Sequence, residues 1–216
     1  MNFNKHTKPA FTMLELVFVI VVLGILAALA LPRLDRDIRQ EAADNILSAI
    51  RYTQRLALND DKHEFNNPFC HRKLWRIRFS NTLYTYTVYS DIDAGGNADT
   101  SEIARDPANG KRMDGTDANI DSNDSPNVFL ADKYGIDSIV LTGCANPANT
   151  VLSTVHIAFD NLGRPHRGID IDANDLKTYV NTDCILTFQS PIFDSDIVIQ
   201  IRRETGYAQI VGQDAS

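Results

Sequence analysis

The chain has 216 residues, with 21 lysines and arginines against 28 aspartates and glutamates, and a formal charge of −7. That acidic balance excludes a general nucleic-acid binder while leaving room for a local basic patch. With 44% hydrophobic residues it is long and apolar enough for one ordinary domain with its own core, so a wholly disordered chain is excluded as well.

The first ten residues, MNFNKHTKPA, carry Lys5 and Lys8 and no acid. Phe11 to Leu31, FTMLELVFVIVVLGILAALAL, is then one apolar run with a single charge, Glu15. As a helix this run reaches roughly 30 Å, the hydrocarbon thickness of a bilayer. The positive-inside rule keeps the basic start in the cytoplasm and sends the remainder outward. A secretory signal has a shorter apolar core followed by a small-residue cleavage site; here the run is longer and the small residue, Ala10, precedes it. A carboxylate at such a depth costs about 2–3 kcal/mol or more on insertion scales, so Glu15 calls for a partner.

Lys8-Pro9-Ala10 followed by Phe11-Thr12-Met13-Leu14-Glu15-Leu16 resembles the prepilin signal of type IV pilins and type II secretion pseudopilins. The resemblance implies that a prepilin peptidase cuts between Ala10 and Phe11 and methylates the new Phe11 amine. It also implies that Glu15 pairs with the free amine of a neighbouring subunit, an attraction strengthened by low dielectric. That family has Gly where this chain has Ala10, which implies slower processing. Pro32 falls where pilins commonly carry a proline that lets the helix bend; its missing donor and its ring predict a local distortion. The partners implied are other pilins or pseudopilins, the peptidase, the inner-membrane assembly platform and membrane lipid.

Past Pro32, Leu34, Ile38, Ala42, Ile46, Ala49, Ile50, Thr53 and Leu56 recur at three- and four-residue spacing between charged residues. This predicts an amphipathic continuation of the same helix, ending near Asn59-Asp60. From Asn66 the pattern turns to strands. Leu74 to Phe79 alternates, with Trp75, Ile77 and Phe79 on one face, and Leu83 to Tyr89 follows the turn-like Ser80-Asn81-Thr82 as a hairpin. Further strands are expected at Ser138 to Leu141, Thr154 to Phe159, Cys184 to Phe188, Ile197 to Ile201 and Tyr207 to Val211. Asp160 to Pro165 and Arg203 to Gly206 carry turn chemistry.

Trp75 on a strand, the acidic turn from Asp91 to Glu102, the Phe159 to Pro165 run and the closing Ile-x-Ile with Glu204-Thr205-Gly206-Tyr207 are similar to the pseudopilin H and FimT group of minor pilins. The resemblance implies an α+β, pilin-like fold, a long N-terminal helix packed on a C-terminal antiparallel β-sheet domain. The segments expected are a leader (1–10), a transmembrane and filament-core helix (11–31), its amphipathic half (32–60) and an exported β-rich domain (61–216) with an acidic loop (91–127).

Asp91, Asp93, Asn97, Asp99 and Glu102 stand at positions one, three, seven, nine and twelve of a loop with Gly96 at the sixth. That is the spacing with which an EF-hand loop wraps calcium, although Gly95 replaces the fifth ligand and no helix pair flanks it. The competing reading is a solvated acidic loop. Asp117, Asn119, Asp121, Asn123 and Asp124 form a second acidic cluster, and Thr100 to Asn127 reads as an insertion with the composition of a disordered segment. Arg72, Lys73, Arg76 and Arg78 give one strand a basic face suited to DNA phosphates, with Arg164, His166 and Arg167 elsewhere; the bland alternative is solvated positions that balance abundant acids. FimT-like DNA binders have a basic motif after the closing Gly, and this chain offers only Arg202 and Arg203 before it.

Cys144 and Cys184 flank two strand-like runs and are expected to form a disulfide, leaving Cys70 free or reactive; the competing reading is that no disulfide forms. No Gly-x-Ser-x-Gly, phosphate loop or His-Glu-x-x-His is found, and the five histidines are scattered, so the chain reads as a non-enzyme. The functional expectation is a structural pilus or pseudopilus subunit. The alternatives are a DNA-capturing pilus subunit and a membrane-anchored periplasmic domain that never polymerises.

Overall fold

Thr12 opens the first helix by accepting the Glu15 N–H on its hydroxyl at 3.3 Å, and helix α1 then runs Met13–Asn59 without interruption. It passes through Pro32, where the ring nitrogen has no hydrogen to donate and one rung of the helical ladder is necessarily missing. The computed structural model describes residues 12–64, 66–67, 70–93, 95–143, 154–167 and 178–213, the side chains of 28–37 and 154–155 excepted.

Among the described residues, two antiparallel four-stranded sheets pack against the second half of α1. The strands are β1 (Trp75–Ser80), β2 (Thr85–Tyr89), β3 (Ser138–Thr142), β4 (Thr154–Phe159), β5 (Pro165–Arg167), β6 (Cys184–Gln189), β7 (Ile197–Ile201) and β8 (Ala208–Ile210). One sheet has the order β2-β1-β4-β5 and the other β3-β6-β7-β8. A 3₁₀ turn (Cys70–Lys73) precedes β1, and a second (Pro126–Val128) leads into a short helix, α2 (Leu130–Tyr134). The chain is therefore α+β, and the predicted strands fall within a residue or two of those observed.

The helix meets the sheets through a stripe of small and β-branched residues. Ala42, Ala43, Ile46, Ala49, Ile50, Thr53 and Ala57 are buried, all on the face that three- and four-residue spacing brings together. Alanines let the backbone approach the sheets closely, and Thr53 gives its hydroxyl to Ala49 O, so that its buried polar atom is satisfied. The flanks hold the helix with side chain to backbone bonds. Arg39 Nε donates to Ser195 O at 2.8 Å, Arg51 Nη2 to Ala208 O at 2.9 Å, and Gln54 Nε2 to both Gly163 O and Thr205 O at 2.8 Å.

The Gln54 contact is a junction of two turns. Asp160 Oδ1 accepts the N–H of Leu162 and of Arg164, closing the 160–164 turn, and Gly163 adopts φ +80°. Gly206, at φ +66°, lies so close above that turn that a Cβ would stand 2.0 Å from Gly163 O.

The segment from Thr100 to Asn127 is ordered, which corrects the expectation of disorder. It lies along the free edge of β2: Ala104 N–H donates to Val88 O, Val88 N–H to Met113 O, and Gly115 N–H to the Thr87 hydroxyl. Its apolar residues Ile103, Ala104 and Met113 are buried. An edge strand left bare is a template for unwanted pairing, and this covering removes it. Within the covering, Asp106 accepts hydrogen bonds from Ser125, Asn109 and Asn127. Burial would raise the Asp106 carboxyl, but these bonds and the Ala108 N–H hold it below the usual carboxylate range.

Candidate functional site

The first half of α1 is the opposite of the second. Met13, Leu14, Phe18 and Ile20 are 86, 81, 71 and 58% exposed, and large apolar side chains continue exposed through Leu26. Glu15, also exposed, sits in the first turn of the same segment. Ala10 and Phe11, the expected processing pair, and residues 1–9 lie outside the described residues, as does the Pro32 side chain. Among the described residues no helix is long and apolar enough to cross a membrane; the apolar run of the sequence extends on both sides of the described apolar side chains, to Phe11 and Leu31. An apolar surface of this extent, continuous over several turns, marks a surface meant to be covered.

The acidic loop after β2 is the second candidate. Asp91 is 1% exposed; its Oδ2 accepts the Gly96 N–H at 3.0 Å and lies 3.4 Å from Arg76 Nη2. Gly96 adopts φ +85°, a conformation open to glycine, at the turn where its N–H meets Asp91. Glu102 Oε1 accepts the N–H of Ile92 and Asp93, at 2.6 and 3.3 Å, and Oε2 that of Asp99 at 3.2 Å. Asp93 Oδ1 takes the Gly95 N–H. Asp91, Asp93 and Glu102 each offer a carboxylate oxygen within 4.8 Å of the others. Burial, then the charge of Glu102 and the nearby Asp93 carboxyl, hold Asp91 above the usual carboxylate range, against the lowering pull of Arg76 and Gly96.

The EF-hand spacing is only partly realised. Asp99 is not in the converging group; its backbone instead hydrogen-bonds Glu102 in both directions, because Glu102 folds back over the loop's own N–H groups. Asn97 is exposed. In the second acidic cluster, Arg112 contacts Asp124 at 2.8 Å and Asp121 at 3.2 Å, so a built-in cation offsets those acids.

Of the basic strand face, Arg76 is buried, while Arg72, Lys73 and Arg78 are half-buried. Arg76 is 3% exposed, donates to Arg72 O and lies 4.8 Å from the Tyr89 ring; Arg78 lies 5.3 Å from the same ring; and Lys73 pairs with Glu64 at 2.7 Å. Arginines at alternate strand positions read as a solvent face, whereas here Tyr89 on β2 and Asp91 in the loop cover Arg76, and Arg78 is half-buried beside the same Tyr89 ring. Arg202 lies 2.9 Å from Asp183 and Arg203 3.3 Å from Glu204, beside an open hollow of about 570 Å³ lined by those residues with Thr182 and Thr205. Comparison with family models, with curated proteins and with solved structures finds no match for this chain.

Cys184 is disulfide-bonded, and Cys70 is free and buried. Cys144, the expected partner of Cys184, lies outside the described residues.

Two groups that the sequence did not single out as sites make the domain sensitive to acid. On β4, burial and then the charges of Arg76 and Arg78 push the His156 imidazole down to about 3. At the 160–164 turn, burial would raise Asp160, yet His166 Nε2, 3.5 Å from its Oδ2, and the hydrogen bonds from Arg164 hold it down at about 2. Both folded values lie below the unfolded ones, so both contributions are present above the unfolded pKa and are lost as pH falls through the folded one. Stability should decline from about pH 6.5 as unfolding lets His156 gain a proton, and steepen below about pH 4 as the Asp160 contribution fades. Chemical denaturation at stepped pH checks this. Asp160→Asn should cost about 2 kcal/mol at pH 7 and flatten the lower part of the curve.

Proposed function

We propose that this chain is a minor pilin or pseudopilin, a structural subunit with a pilin-like layout that assembles into a filament through the first half of α1. The observation that carries this reading is the division of one helix into two halves. From Ile38 onward its apolar face is buried on the chain's own sheets, while from Met13 to Leu26 its apolar side chains have no cover within the chain. Before assembly the lipid of the inner membrane covers that half; after assembly the same halves of neighbouring subunits do. Glu15 then has a role in choosing between the two states, since a carboxylate is costly in lipid and is attracted to a neighbour's amine in a dry filament core.

The disulfide at Cys184 agrees with an exported domain, because such bonds persist in oxidising compartments. Cleavage after Ala10 and methylation of Phe11 complete the reading. A photo-crosslinking residue placed at Phe18 tests it: the expected product joins the chain to a second copy or to another subunit with a like helix, in cells that carry the assembly machinery. Crosslinks to lipid alone would contradict it.

A further inference from the structure

We propose that Asp91, Asp93 and Glu102 form a binding site for a hard divalent cation, calcium, that staples the loop following β2. The three carboxylates converge to within 4.8 Å. Among the described residues Arg76 is the guanidinium paired with the group, so three carboxylates meet one built-in cation at this spot. Repulsion among such acids favours opening of the loop unless a cation joins them.

A second observation is independent of the clustering. Asp91 is almost wholly buried, its Oδ2 is occupied by Gly96 and Arg76, and its Oδ1 is buried with no hydrogen-bond partner. A buried oxygen of a carboxylate is costly to leave unpaired, and a cation bound by the neighbouring carboxylates would satisfy it. The acids at 121 and 124 make the contrast, for Arg112 already neutralises them.

The donors choose the cation. All three are carboxylate oxygens, with no thiolate or imidazole in the group, which disfavours zinc. Asp93 is exposed and leaves one side open to water, so coordination is completed flexibly and without an ideal octahedron, a condition calcium tolerates better than magnesium. Glu102 can keep its backbone bonds to Ile92, Asp93 and Asp99, since those three N–H groups leave one of its four lone pairs, on Oε2, for the cation. Bound calcium would thus join the end of β2 to the start of the segment that covers its edge.

The test is calorimetric titration of CaCl₂ into the full chain in detergent micelles after removal of metal with a chelator. The expected dissociation constant is on the order of 10⁻⁴ M, in the range of sites outside the cytoplasm. Asp93→Asn keeps the fold, because that side chain is exposed, and should weaken binding at least about tenfold; Asp117→Asn, an exposed acid elsewhere, should leave it unchanged. Calcium should also slow proteolysis within residues 91–102 in the wild-type chain and not in Asp93→Asn. Absence of binding at several millimolar, or equal weakening by Asp93→Asn and Asp117→Asn, would overturn the proposal.

Discussion

Glu15→Gln should reduce incorporation of the chain into filaments at least about tenfold, while the amount of folded protein in the membrane stays the same or rises. The two outcomes follow from one charge. In lipid a neutral side chain at this depth is more comfortable than a carboxylate by about 2–3 kcal/mol, so the substitution favours the membrane-inserted state. Between subunits the ion pair at low dielectric is lost, and a tenfold change corresponds to only about 1.4 kcal/mol of that attraction. The folded domain lies well beyond the first turn of α1, where Glu15 makes one backbone bond to Thr12 and none through its carboxylate among the described residues. Quantifying the variant in sheared filaments and in membranes checks both. A plain membrane anchor would show no drop in the filament fraction relative to any other bystander protein, because its charge has no subunit to meet.

Gly206→Ala should destabilise the domain by about 3–5 kcal/mol. The added Cβ would stand 2.0 Å from Gly163 O and 2.5 Å from Gln54 Nε2, and the backbone at φ +66° is itself strained for alanine. Relief requires the 160–164 turn to move away, which also breaks the bond from Gln54 to Gly163 O and loosens the end of α1 from the sheets. Gly212→Ala is the control that separates the two causes. At φ +85° it has the same backbone preference but nothing within 4 Å of its Cβ, so it should cost only about 1 kcal/mol. Equal losses for the two variants, measured by urea denaturation, would mean that the close approach contributes nothing.

Much of this architecture is legible in the chain before any coordinates, for reasons that differ by element. The amphipathic half of α1 announces itself because Ala42, Ile46, Ala49, Ile50 and Thr53 share one face, and the helix stops at Asn59 as its polar end predicts. The hairpin of β1 and β2 is legible because Ile77 and Phe79 alternate with arginines around a short polar turn. What escaped reading depends on partners distant in sequence. Arg76 looks solvated until Asp91, fifteen residues on, is seen beside it. The segment over the β2 edge looks disordered because its anchors are single residues, Ile103, Ala104 and Met113, held by a bridge to Tyr89 and by single backbone hydrogen bonds with no period for a pattern to reveal. In the acidic loop the structure brings Asp91, Asp93 and Glu102 together and leaves Asp99 outside that group, since spacing alone does not say that Glu102 will fold over the loop's own N–H groups.

Maturation of the first half of α1 for assembly is reported directly by the N-terminal peptide of the protein isolated from cells. Mass spectrometry should find a mature chain beginning at Phe11 with one added methyl group on its amine. A chain that keeps residues 1–10 in membrane and filament fractions alike would contradict it.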